Sequence, residues 1–153
     1  MTKDVLVSIT GIQTEIVQGG GRKPQTTEPM EIVTPALYYK KNNKHYIVYD
    51  EPVEGTSEVI KNKIKITDNK IIEIMKTGVS NSHMIFEKHK KNLSFYQTPY
   101  GEMTLEVDTS EMDIKESENK MLITLGYQLD VNHEPLASCH ITMNVSSKDV
   151  AII

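Results

Sequence analysis

Apolar residues recur at every second position along most of the chain, the spacing of half-buried β-strands. The longest run is Met121, Ile123, Leu125, Tyr127, Leu129 and Val131, with Thr124, Gln128 and Asp130 between them. Ala137, Cys139, Ile141, Met143 and Val145 repeat the pattern against Ser138, His140, Thr142 and Asn144. Asn132-His133-Glu134 separates the two runs with turn chemistry, so they predict a long antiparallel hairpin. Met103, Leu105 and Val107 continue the alternation, and Met112 and Ile114 carry it on the opposite parity. A parity switch at Thr109-Ser110-Glu111 predicts a bulge or a corner.

Shorter strands are expected at 83–88 and 93–98, joined at Lys90-Lys91-Asn92. Ile64–Ile66 and Ile71–Ile74 flank Asp68-Asn69, and residues 32–40 and 45–50 flank Asn42-Asn43; both read as tight hairpins. Pro35 has no N–H to give a ladder, which places its segment at an edge, a strand start or a bulge. Val5, Val7 and Ile9 alternate at the N-terminal end, with Gly11 as a kink. Only Glu111–Met121 has helix-compatible residues, and Asp113, Ser117 and Asn119 weaken it.

Short turns between successive strands imply an up-and-down meander. Such a sheet curls into a sandwich or closes into a barrel, and closure removes exposed edges. The expected fold is all-β: one antiparallel barrel domain of about eight to ten strands spanning residues 1–153. Residues 17–31, with three glycines, Pro24 and Pro29, break the pattern and read as a long flexible loop.

The chain's 153 residues can enclose one core, hiding roughly 70% of the unfolded surface. A net charge of −4 argues against nucleic-acid binding through bulk charge but leaves local basic patches open. The start of the chain lacks a signal peptide's apolar stretch, and the single Cys139 fits a reducing compartment, so a cytoplasmic location is expected.

Four strings resemble a known family: His45-Tyr-Ile-Val-Tyr-Asp-Glu51, Glu54-Gly-Thr56, Ser82-His-Met-Ile-Phe-Glu87 and Tyr96-Gln-Thr-Pro-Tyr-Gly101. The last is followed by a strand ending in Asp108-Thr109. Over about residues 4–146 the chain resembles the DUF1934, or YwiB-like, family of small bacterial proteins. The resemblance implies a lipocalin- or calycin-like antiparallel barrel. It assigns no activity, and no catalytic residues carry over.

Candidate chemistry is sparse. Gly19-Gly20-Gly21-Arg22-Lys23 lacks both the spacing of a phosphate loop and a following helix. None of the five histidines forms a tight ligand pair in sequence, so neither a metal nor another cofactor is expected. Cys139 lies on an apolar face, where an inert thiol is the default, and Ser82 and His83 point to opposite faces of a strand. Methionines 75, 84, 103, 121 and 143 fall within strands and read first as core packing.

The leading functional reading is non-enzymatic binding of a small ligand in the barrel mouth. Its candidate residues are Tyr49, Glu51, Glu54, Thr56, Glu87, Tyr96, Gln97, Tyr100 and Tyr127, which combine hydroxyls, carboxylates and aromatic bodies. The alternative is recognition of RNA or a protein partner by the basic hairpin tips at 38–46 and 88–92. A third reading is an enzyme whose site is assembled inside the lumen. Self-association as a homodimer is compatible with the pattern, and no membrane partner is expected.

Overall fold

The computed structural model describes residues 2–16 and 29–148. Ten antiparallel strands form a closed barrel in which each pairs with its neighbours in sequence, and the first and last meet to complete the ring. They are β1 (Thr2–Glu15), β2 (Met30–Lys41), β3 (Lys44–Pro52), β4 (Val59–Thr67), β5 (Ile71–Thr77), β6 (Asn81–Glu87), β7 (Lys90–Thr98), β8 (Gly101–Glu116), β9 (Lys120–Val131) and β10 (Glu134–Ser147). The barrel closes where β1 runs antiparallel to β10, with Val7 opposite Val145 and Ile9 opposite Met143.

The turns follow from their residues. Asn42-Asn43, Asp68-Asn69 and Asn132-His133 all hold positive φ at both positions, between 50° and 69°. Such paired left-handed residues match the twist of two flanking strands, and Asn and Asp tolerate them best. The parity switch in β8 is a bulge between Thr109 and Glu111, so Thr109 and Met112 both face inward. A second irregularity falls between Pro135 and Ala137 of β10.

Two local expectations are corrected and one, the absence of a helix at 111–116, is kept. Lys90-Lys91-Asn92 is not a turn: it begins β7, and the reversal lies at Lys88-His89. Residues 111–116 remain strand because Met112 and Ile114 keep the inward face of β8. Met30 and Glu31 belong to β2 rather than to a loop, whereas the rest of the 17–31 segment, apart from Pro29, lies outside the described residues. Pro35 is accommodated because the β2–β3 ladder begins only at Leu37 opposite Val48, which leaves Pro35 paired on one flank, with Leu6.

Inward-facing side chains fill the waist. Val7, Ile47, Ile64, Ile66, Ile72, Phe86, Val107, Ile123, Leu125 and Met143 are all essentially without solvent contact. The Tyr127 ring meets Phe86 edge-on, with centroids 4.9 Å apart. Met112 and Met121 join this core, in keeping with their in-phase positions. The packed waist separates two mouths. One gathers the β2–β3, β4–β5, β6–β7 and β8–β9 turns together with the start of β1 and the end of β10. The other holds the remaining turns.

Candidate functional site

Register decides which polar side chains reach the lumen. At the first mouth Lys3 lies opposite Tyr38, and Lys40 lies opposite His45. Each shares the inward parity of its strand: Lys3 with Val5 and Val7, Tyr38 and Lys40 with Ala36, His45 with Ile47. Glu116 is in phase with Met112 and Ile114, opposite Met121. The result is a cleft of about 480 Å³ between β1, β2, β8, β9 and β10. Val5, Met121 and Val145 form its apolar lining; its charged residues are Lys3, Lys40, Lys120, Glu116 and Glu118, and Tyr38 and Ser147 are among its neutral polar ones.

His45 sits beneath this cleft at only 4% exposure, and both ring nitrogens are engaged. The Tyr38 hydroxyl is 2.6 Å from Nδ1, and a Glu116 carboxylate oxygen is 3.2 Å from Nε2. Burial pushes the His45 pKa down; Glu116 opposes this and Lys40 adds to it. The ring is therefore neutral near pH 7 and has one proton to place. A carboxylate only accepts, so the proton belongs on Nε2, facing Glu116, and Nδ1 accepts the Tyr38 O–H. Burial, then the Glu116 charge, raises the Tyr38 pKa and keeps the phenol protonated. Lys3, Lys40 and Lys120 make no ion pair among the described residues, whereas Lys65, Lys76, Lys90, Lys91 and Lys115 each have a carboxylate. Two inward-facing ammonium groups are thus left to attract a negative charge.

The candidate residues named from sequence divide by position. Tyr49, Glu51 and Tyr96 face inward toward the second mouth. There Tyr49 lies opposite Asn62, Asn62 opposite Lys76, Lys76 opposite Ser82, and Ser82 opposite Tyr96, a polar row running across five strands. Lys76 Nζ and Asn62 Nδ2 approach Glu51 Oε1 at 3.2 and 3.3 Å. Burial, then Glu51, pushes the Tyr49 phenol up to about 12. Tyr127 lies deeper, beside Cys139, with its pKa raised mainly by burial. Burial likewise pushes the Cys139 thiol up, so it stays protonated and unreactive.

The others do not join this row. Glu54 and Thr56 are exposed in the β3–β4 turn, where Thr56 donates to the Val53 carbonyl. Glu87 takes Lys90 as its partner on the outer surface. Gln97 donates to Glu102 outside the barrel, and Tyr100 is fully exposed at the β7–β8 turn. Gln97 also lines an external groove of about 420 Å³ with Val79, Asn81 and Pro99.

The basic tips also differ from each other. Lys90 and Lys91 are neutralised by Glu87 and Glu106. In the 38–46 tip, Tyr38 and Lys40 turn into the cleft and His45 lies buried beneath it, while Tyr39 and Tyr46 stack outside with centroids 4.8 Å apart. Among the described residues no group of three or more histidines, cysteines or carboxylates is placed to hold a metal ion. The glycine-rich stretch at 19–23 lies outside the described residues.

Sequence reasoning assigned Tyr38, Lys40 and His45 to a surface tip and passed over Lys3 and Glu116. The signal was available: each polar residue continues an inward apolar series at the end of its strand.

A ten-strand up-and-down barrel with a packed waist and an open polar mouth places the chain among closed antiparallel β-barrels. Residues 11–143 match the model of a family described as a domain of unknown function, DUF1934, and the chain belongs to that family. It is 26% identical over 107 residues to the uncharacterized β-barrel protein YwiB of Bacillus subtilis (strain 168), covering 70% of this chain and 73% of YwiB. The crystal structure of the B. subtilis ywiB protein superposes with a TM-score of 0.76 at 19% identity, covering 95% of this chain and 92% of that one. Likeness at that identity establishes the shared barrel. No helix among the described residues is long and apolar enough to cross a membrane.

Proposed function

We propose that this protein binds a small organic anion in the mouth framed by β1, β2, β8, β9 and β10. The observation that carries the reading is the pair Lys3 and Lys40, inward-facing and without a carboxylate partner, above an apolar floor. Lys3 and Lys40 are exposed at the rim, and two neighbouring ammonium groups on one wall attract an anion through their summed field, an attraction that salt screens. The volume, about 480 Å³, suits one small molecule. Val5, Met121 and Val145 offer contact to an apolar tail.

The test is a two-dimensional amide NMR titration of the full chain with small carboxylates. Shifts should gather at residues 3–5, 38–40, 116–121 and 145–147. Lys3→Gln with Lys40→Gln should weaken binding at least tenfold, and added salt should weaken it in the wild type. A titration in which these amides stay still, or in which the double variant binds as the wild type does, overturns the reading.

The outer Tyr39–Tyr46 stack favours a second reading, in which the β2–β3 tip meets single-stranded RNA. Lys41 and Lys44 have no ion pair there among the described residues, and Lys63 lies 5.9 Å from the Tyr46 ring centre. That reading requires salt-sensitive RNA binding that falls on neutralising Lys41 and Lys44. Binding indifferent to salt would remove it.

A further inference from the structure

The hydrogen-bond polarity of Tyr38 narrows the ligand class. Its oxygen is 2.6 Å from His45 Nδ1, and a Glu116 oxygen is 3.2 Å from Nε2 on the opposite side of the ring. A proton on Nδ1 would turn the bare Nε2 lone pair toward a carboxylate, an arrangement of two acceptors with no hydrogen between them. The proton therefore stays on Nε2, and the Tyr38 O–H is committed to Nδ1. What Tyr38 offers to the cleft is the remaining lone pair of its oxygen, which accepts. Lys3 and Lys40, on the same wall, can only donate. The wall thus presents donors for a charge and an acceptor beside them.

We propose that the cleft selects a 2-hydroxy carboxylate over the plain carboxylate of the same skeleton, the carboxylate meeting Lys3 and Lys40 and the hydroxyl donating to the oxygen of Tyr38. This deepens the anion-binding reading and rests on it. A plain carboxylate satisfies the lysines but leaves the Tyr38 oxygen without a donor once it has displaced water. A site built around a substrate hydroxyl discriminates against the analogue that lacks it, because the site's own polar group is then unpaired.

The test compares 2-hydroxy-4-methylpentanoate with 4-methylpentanoate by amide NMR titration on the intact protein. The wild type should bind the hydroxy acid about fivefold or more tightly. Tyr38→Phe should remove the preference, so that the two acids bind with equal affinity. Equal affinities in the wild type, or a preference that survives in Tyr38→Phe, overturn the proposal while the anion reading stands. If neither acid moves the cleft amides, the anion reading falls and takes this inference with it. Long-range nitrogen–proton correlation of the His45 ring supplies a readout that needs no ligand. It should show the Nε2–H tautomer, and an Nδ1–H ring would overturn the proposal even in a well-folded protein.

Discussion

At the scale of single residues, the interior holds a few polar groups whose state depends on burial. Tyr49 is one: its phenol is pushed up to about 12 from an ordinary 10.0, first by burial and then by the Glu51 charge. A folded-state value above the unfolded one means that the neutral phenol's advantage is complete below pH 10 and lost as pH rises through about 12. The shift corresponds to about 2–3 kcal/mol. Denaturant unfolding from pH 9 to 12 should therefore show the wild type losing roughly that much more stability than Tyr49→Phe. Parallel curves for the two proteins would contradict this. His45 bears on the other end of the pH scale, since its depressed value makes folding disfavour the imidazolium as pH drops below about 6.5. Individual residues also show what could be read in advance. Alternation puts Tyr49 and Glu51 on one face of β3 and Tyr127 on the apolar face of β9, and the closed ring turns those faces inward. The meeting of His45 with Glu116 does not, because it depends on strands far apart in the chain facing each other across a closed lumen.

At the scale of elements, the strands are unequally held. β9 pairs with β10 from Glu134–Val131 through Ser146–Lys120, and with β8 almost as far. β6 pairs with β7 only through Asn81 opposite Gln97, Ser82 opposite Tyr96, and His83 opposite Phe95. Leu93 and Phe95, on the outer face of β7, are half exposed beside this short ladder. Short ladders open locally at lower cost than long ones. Amide hydrogen exchange should run at least tenfold faster in residues 84–87 than in 122–127; comparable protection would show that the β6–β7 seam is as firm as its neighbours. The elements were legible where alternation was long or turn residues were decisive, as in β9, β10 and the Asn42-Asn43 turn. They were least legible at Lys90–Asn92, where the polar composition resembles a turn. There Asn92 is inward-facing, opposite Val107, while Lys91 pairs outward with Glu106.

At the scale of the whole molecule, ring closure was the step alternation left undecided, since a sandwich and a barrel both bury one face of each strand. Closure brings Val5 opposite Ser147 and sets the Lys148 N–H 3.4 Å from the Asp4 carbonyl. A circular permutant should therefore keep the fold if a short linker joins 148 to 2 and the chain is opened at Asp68-Asn69, which connect strands already held on both flanks. The expected result is a native-like amide NMR spectrum and cooperative unfolding. A permutant that stays collapsed without dispersed resonances would show that the β4–β5 turn is required for assembly.

The β1–β10 ladder also has a consequence for synthesis. It joins a strand made early to one made late, with Val5 through Glu15 opposite Ser147 through Ala137. At elongation rates of about 5–20 residues per second, on the order of six to thirty seconds separate the two on the ribosome. During that interval one flank of β1 has no β10 to cover it, an open edge able to recruit strands from neighbouring nascent chains. Val5, Val7 and Ile9 make that edge apolar on the side destined for the core. Expression yield should then depend on what shields β1 in the growing chain, a period of risk that the finished ring no longer reveals.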